Sequence, residues 1–218
     1  MTGISLSANS FTQNLLEGNR QKCSALAHGF LASGHSVMDL YEHVFKPALY
    51  EIGRLWETNQ ISVASEHLAT AITEGILNEL FEQIVSEQKK PRRVVVAGVE
   101  NEHHQVGMKM VADVFEMKGW ESFFLGASIP VSELIRFIRR IKPDLVAISL
   151  SVYFNFANLL KMQEELRRVF PNLQIILGGQ AFSHLSPEAR LSLGSVEIIT
   201  DLYSLEMYID ALNPNSKI

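Results

Sequence analysis

The chain has 218 residues, 47% of them hydrophobic and 20% charged, the balance of a soluble globular protein with one large domain or two small ones. A formal net charge of −5 argues against a broad nucleic-acid-binding face, and no apolar run approaches the roughly 18 residues that suggest a membrane span. The single cysteine, Cys23, rules out an intrachain disulfide framework, so a cytoplasmic location is expected and Cys23 reads as a small buried apolar residue. No basic region followed by an apolar core opens the chain, so no secretory signal is expected.

Residues 1–10 are small and polar and read as a frayed start. From Phe11 to about Val85 the apolar residues recur at helical spacing. Ala25, Leu26, Phe30 and Leu31 can share one face. Val37, Leu40, Tyr41, Val44 and Phe45 form a second helix that Ser36 can cap. Pro47 suits the first turn of a next helix over 48–56. Ser62 or Ser65 can start a long helix carrying Leu68, Ala71, Ile72, Ile76, Leu80 and Ile84. Short connections make these antiparallel neighbours, hence a four-helix bundle over 1–87.

Residues 88–92 read as a linker, with Lys89, Lys90, Arg92 and Arg93 as a solvated basic cluster. The pattern then changes. Strands are expected at 94–98, 121–124, 145–149, 174–177 and 196–199. Helices are expected at 106–118, 132–141, 156–170, 187–193 and 204–212, with Gly119 ending the first and Arg136, Arg139 and Arg140 on the wet side of the second. Strands alternating with helices predict an α/β domain over 93–218: a five-stranded parallel sheet of flavodoxin-like order 2-1-3-4-5.

That topology says where a ligand goes. In open parallel sheets, ligands bind beyond the carboxyl ends of the strands, near the switch in strand order. Three loops leave those ends, at 102–107, 149–154 and 178–181, and each is unusual. The first reads Glu102-His103-His104-Gln105-Val106-Gly107. Neutral imidazole is a common ligand of late transition metals, cobalt included, and a bound histidine usually gives its second N–H to a carboxylate. Glu102 is the nearest candidate in sequence, and Gly107 lets a large flat ligand approach the helix start. Taken alone, a histidine beside an acid is more often a solvated polar pair. A zinc site built on Glu102, His103 and His104 lacks a second cluster at zinc spacing. Gly-x-Gly-x-x-Gly and the phosphate-loop lysine pattern are absent. In the bundle, Trp56 is followed after nine residues by Glu66-His67. Alone these read as a core aromatic, a helix-start acid and a surface histidine.

Together the segments resemble a known family. Cobalamin-binding domains of the methionine-synthase type carry Asp-x-His-x-x-Gly, then Ser-x-Leu, then Gly-Gly. This chain has Glu102-His103-His104-Gln105-Val106-Gly107, Ser149-Leu150-Ser151 and Gly178-Gly179. The resemblance covers roughly 92–212. It implies that His104 is the lower ligand of cobalt, that Ser149 contacts the displaced benzimidazole tail, and that Gly178 and Gly179 leave room for it. Glu102 replaces Asp. Ser151 replaces Leu, and bulky Tyr153 and Phe154 follow, so a differently shaped tail pocket is expected. The spacing of Trp56, Glu66 and His67 resembles the helical cap of CarH-type adenosylcobalamin photoreceptors, which implies that these three shelter the adenosyl group. Where those sensors have a histidine after the tryptophan, this chain has Glu57.

Two functions follow from the resemblance. The first is an adenosylcobalamin-dependent sensor of light. Too few residues precede the bundle for a helix-turn-helix, so output is expected through a protein partner, such as a transcription regulator, without direct nucleic-acid or membrane contact. A homo-oligomer is compatible with this. Some relatives hold a bilin as second chromophore, which this sequence neither requires nor excludes. The second is a corrinoid methyl carrier of a methyltransferase system. In those carriers Lys-Asn usually follows the glycine, whereas Met108-Lys109 follows Gly107 here. No residue constellation suggests independent catalysis, so a non-enzyme is expected.

Overall fold

The computed structural model describes residues 8–212, which fall into two compact units that divide between Ile84 and Val85. The first unit is helical: α1 (Ala8–Leu16), α2 (Arg20–Ala32), α3 (Val37–Leu40), α4 (Lys46–Glu57), α5 (Val63–Glu79) and a last turn, α6 (Phe81–Ile84). Helix α1 begins at Ala8, so part of the expected frayed start is ordered; residues 1–7 lie outside the described residues. Its buried Phe11 stacks on Phe45 at 5.0 Å, and Phe11, Leu15, Tyr41, Phe45, Ile52, Ile76 and Leu77 are fully buried.

The expected break before Pro47 does not occur. A π-turn, Tyr41–Phe45, joins α3 to α4 without interruption. Proline clashes with the carbonyl four residues back and donates no hydrogen bond. A wider π-turn just ahead of it, closed by Lys46 N–H donating to the Tyr41 carbonyl, removes that conflict while the chain keeps its direction. Ser36 caps α3 with a reciprocal bond to Asp39. Ser62, rather than Ser65, caps α5 and accepts from Ser65 N–H. Helix α5 stops at Glu79 instead of running on to Ile84.

The second unit is a five-stranded parallel sheet in the order β2-β1-β3-β4-β5, as the sequence predicts. Its elements are β1 (Arg93–Gly98), α7 (Val106–Met117), β2 (Glu121–Gly126), α8 (Val131–Ile141), β3 (Leu145–Ser149), α9 (Phe156–Val169), β4 (Gln174–Gly178), α10 (Pro187–Ser192), β5 (Glu197–Ile199) and α11 (Leu202–Ala211). Val94–Ala97 of β1 and Leu145–Ile148 of β3 are apolar and buried, the signature of central parallel strands. Leu134 and Ile138 of α8 pack on them with Leu159, Met162 and Leu166 of α9. Arg136, Arg139 and Arg140 face water.

The basic residues that lead into β1 and open it are tied to this unit. Lys89 pairs with Glu116 at 3.0 Å, Arg92 with Asp144 at 3.0 Å and Arg93 with Glu121 at 2.9 Å. Gly119 has φ +81, and a Cβ there would lie 2.1 Å from the Gln88 carbonyl oxygen, so only glycine lets this segment cross the end of α7. Among the described residues, no helix is long and apolar enough to cross a membrane.

Candidate functional site

Register places the unusual loops side by side. Gly98 of β1 pairs with Ser149 of β3, Ser149 with Gly178 of β4, and Gly178 with Ile199 of β5. These residues form one row at the carboxyl edge. The switch in strand order lies between β1 and β3, and the loop carrying Glu102 and His104 leaves there.

Glu102 is fully buried, unlike the acid of a solvated surface pair. Its Oε1 faces His104 Nδ1 at 2.5 Å and accepts from His104 N–H at 3.1 Å. Its Oε2 accepts from the backbone N–H groups of Ser151 at 2.9 Å and Val152 at 3.0 Å, on the loop after β3. Burial pushes the Glu102 carboxyl up, but the His104 imidazole and the N–H groups of Val152, His104 and Ser151 outweigh it and hold the carboxyl at about 2. Glu102 is therefore ionised at neutral pH and can only accept. The proton between the two side chains must sit on Nδ1, which makes Nε2 the basic nitrogen of the neutral ring, the one a metal would take. With Glu in place of Asp, one carboxylate reaches both the imidazole and the neighbouring loop.

His104 is half exposed, and His103 is exposed. A Cβ built on Gly107, in the first turn of α7, meets nothing within 4 Å, so space over the helix start is open to a flat ligand. The glycine pair behaves differently. A Cβ on Gly178 would lie 2.6 Å from the Ile199 carbonyl oxygen. Gly179, at φ +111, would put one 2.3 Å from the Leu150 carbonyl oxygen and 2.9 Å from Ser149 Oγ. The chain's own backbone fills the space these glycines leave, and Gly179 gives the Ser149 hydroxyl its room. Ser151 sits beside this row and enters the site through its N–H. Tyr153 is exposed and stacks on Phe156 at 5.3 Å, and Phe154 is 91% exposed.

In the bundle, Trp56 is 41% exposed near the end of α4, so it is not a core aromatic. Glu66 lies in the first turn of α5; it contacts His67 Nδ1, and its Oε1 accepts from Thr70 Oγ1 at 2.8 Å. His67 is exposed. Val63 and Leu68, also on α5, are about half exposed. Cys23 is buried and burial, with Glu17 nearby, pushes its thiol up to about 11, so it is inert.

Among the described residues, no three His, Cys, Asp or Glu side chains converge as a metal cluster. A structural zinc site needs such a set. A single imidazole, fixed in tautomer by a buried carboxylate beneath an open helix start, suits a metal that brings its own equatorial ligands. A corrinoid's cobalt is such a metal. Sequence reasoning missed the backbone partners of Glu102, together with Asn155 and Asn158, whose amides reach the same loop. Their spacing from Glu102 carries no periodic signal.

Comparison with known proteins agrees. Residues 92–199 match the B12 binding domain family, and residues 7–81 match a second family of the same description. Trimethylamine corrinoid protein 1 of Methanosarcina acetivorans is 22% identical over 168 residues, 74% of this chain and 77% of that protein. The HTH-type transcriptional repressor CarA of Myxococcus xanthus is 29% identical over 171 residues, 76% of this chain but only 56% of the repressor. In fold, the Methanosarcina barkeri monomethylamine corrinoid protein superposes with a TM-score of 0.80 at 12% identity, covering 93% of this chain and 96% of that one. With a helical and a Rossmann-like B12 binding domain in succession, the chain belongs to the B12-binding proteins, and its ligand is a cobalamin-type corrinoid.

Proposed function

We propose that this protein is an adenosylcobalamin-dependent sensor, responsive to light, that signals to a cytoplasmic protein partner such as a transcription regulator. The observation that carries the corrinoid site is the buried Glu102 carboxylate fixing the His104 tautomer. In this reading His104 Nε2 would hold the cobalt. Ser149 and the glycine pair would border the cofactor's tail, Ser151 and Tyr153 would flank it, and Gly107 would leave the helix start open to the ring. Trp56, Glu66 and His67 supply the bundle's contribution to the cofactor. Trp56 is exposed enough for its ring to meet a ligand, and the likeness to the CarA repressor supports a sensing role. Bound adenosylcobalamin supplies a cobalt–carbon bond that visible light breaks. The chain's own part is to hold the ring, orient the imidazole and present a surface to the partner.

A second reading, a methyl carrier serving a methyltransferase partner, draws on the trimethylamine corrinoid protein, whose length this chain matches more fully than the repressor's. One experiment separates them. The purified protein is mixed with adenosylcobalamin in the dark, and visible spectra and oligomeric state are recorded before and after green light. A bound-form spectrum that changes on illumination, with a change in assembly, supports the sensor. Binding in which illumination leaves the oligomeric state unchanged supports the carrier. A spectrum that stays that of free cofactor overturns both.

A further inference from the structure

The loop that carries Glu102 and His104 is held by more than Glu102. Asn155, buried at 7% exposure, donates from Nδ2 to the Asn101 carbonyl at 3.2 Å. Asn158, in the first turn of α9, donates from Nδ2 to the Glu100 carbonyl at 3.1 Å. From the other side, Asn101 N–H donates to Ser128 Oγ at 3.1 Å, on the loop after β2. Asn101 and Ser128 are both left-handed, at φ +67 and +53, a conformation that costs a non-glycine residue free energy and persists only where surrounding contacts enforce it. Two consecutive carbonyls, at positions 100 and 101, are thus pulled towards α9 just before the chain reaches Glu102.

We propose that Asn155 and Asn158 are positioning residues for the cobalt ligand. By holding the carbonyls of Glu100 and Asn101 they set the left-handed bend at Asn101, and that bend delivers the Glu102 carboxylate to both His104 Nδ1 and the N–H groups of Ser151 and Val152. The arrangement closes a ring of bonds. The loop after β3 gives two N–H groups to Glu102, and the asparagines that follow it, Asn155 and Asn158, hold the backbone from which Glu102 projects. In this scheme the asparagines act through the loop backbone rather than on the cobalt. Their effect is on where the imidazole stands and how tightly.

The proposal rests on His104 being the cobalt ligand, and its test separates the two ideas. Asn155→Asp keeps the shape but removes the donor and sets a carboxylate against a carbonyl oxygen. Asn155→Ala and Asn158→Ala delete the side chains, and Asn19→Ala, which removes the cap of α2 in the other unit, serves as a control of comparable disruption. Hydrogen exchange of the corrinoid-free proteins is followed at residues 100–104 and 151–152. The expected result is exchange at least about 10-fold faster at both segments in Asn155→Asp, the loss of one well-made buried hydrogen bond, with no change in Asn19→Ala. The proteins are then loaded with hydroxocobalamin and reduced to Co(II), and the axial-nitrogen splitting in the paramagnetic resonance spectrum is read with isotopically labelled histidine. The fraction of cobalt ligated by protein histidine is expected to fall in both Asn155 variants and further in Asn155→Ala/Asn158→Ala. Unchanged exchange at 100–104 together with full histidine ligation in every folded variant overturns the proposal. If wild-type cobalt shows no labelled-histidine splitting, the ligand assignment has failed instead, and the exchange measurement still decides whether the asparagines hold the loop.

Discussion

Replacing Glu102 with Gln tests the site without any cofactor. The native carboxylate accepts on both sides: from the His104 ring and N–H through Oε1, and from Ser151 and Val152 through Oε2. An amide can accept on only one. If its oxygen stays with the two backbone N–H groups, its NH2 faces His104 Nδ1, which must then give up its proton and accept. The ring is forced into the other tautomer, with the proton on Nε2. The magnitude follows from the carboxyl's depression from 4.5 to about 2, which corresponds to about 3 kcal/mol of preference for the ionised form in the folded protein. Because the folded value lies below the unfolded one, this stabilisation is complete above about pH 5 and is lost as pH falls through about 4.5 towards 2.

Denaturant unfolding of the corrinoid-free protein in a Trp56→Phe background leaves Trp120, which packs on Phe115 in the sheet unit, as the fluorescent reporter. Wild type is expected to exceed Glu102→Gln by about 3 kcal/mol at pH 7, with the gap closing as pH approaches 2. Nitrogen chemical shifts of His104 are expected to show Nδ1 protonated in wild type and Nε2 protonated in the variant. A stability gap independent of pH, or an unchanged tautomer in Glu102→Gln, would refute the argued geometry.

Three further substitutions probe neighbouring positions. Gly179→Ala forces a Cβ to 2.3 Å from the Leu150 carbonyl oxygen at φ +111, so a loss of at least about 3 kcal/mol is expected, read as a large fall in thermal midpoint. Gly107→Val enters open space at ordinary φ, so stability should stay within about 1 kcal/mol while hydroxocobalamin affinity, measured by titration, falls at least about 10-fold. Trp56→Ala removes a ring that is 41% exposed, so bundle stability measured by circular dichroism should drop by no more than about 2 kcal/mol, while the light-driven spectral change of the adenosylcobalamin complex is altered or lost.

The sheet unit was legible because its signals are local and repeated. Val94 to Ala97 and Leu145 to Ile148 are uninterrupted apolar runs whose shortness and β-branched residues suit strands buried on both faces. Strand order followed from parallel topology, which also directs the search for a site to the carboxyl edge. The bundle was harder at one place. Pro47 ordinarily marks a helix start, and nothing in the spacing of Tyr41 to Phe45 announces that a π-turn will carry the helix through it. At the site, the residue types were readable but the partners were not. Glu102 reaches the backbone of Ser151 and Val152, and backbone N–H groups are the same at every non-proline position, so no pattern of side chains could foretell them.

The glycine pair shows how a residue can be rightly noticed and yet have a different physical reason for being there. Resemblance assigns Gly178 and Gly179 to making room for a ligand's tail. In the fold, each lies against a backbone carbonyl, Gly178 against Ile199 and Gly179 against Leu150, and both would be required with no ligand at all. The two reasons meet at Ser149. Its hydroxyl lies only 2.9 Å from the Cβ that any other residue at 179 would carry, so the packing that brings β3, β4 and β5 together at this edge also keeps that hydroxyl unobstructed. A substitution at Gly179 is therefore expected to damage fold and binding together. Gly107 lies in open space, where the same change should damage binding alone. The contrast between the two glycines, more than either loss by itself, tests whether the carboxyl edge of this sheet is where the corrinoid lies.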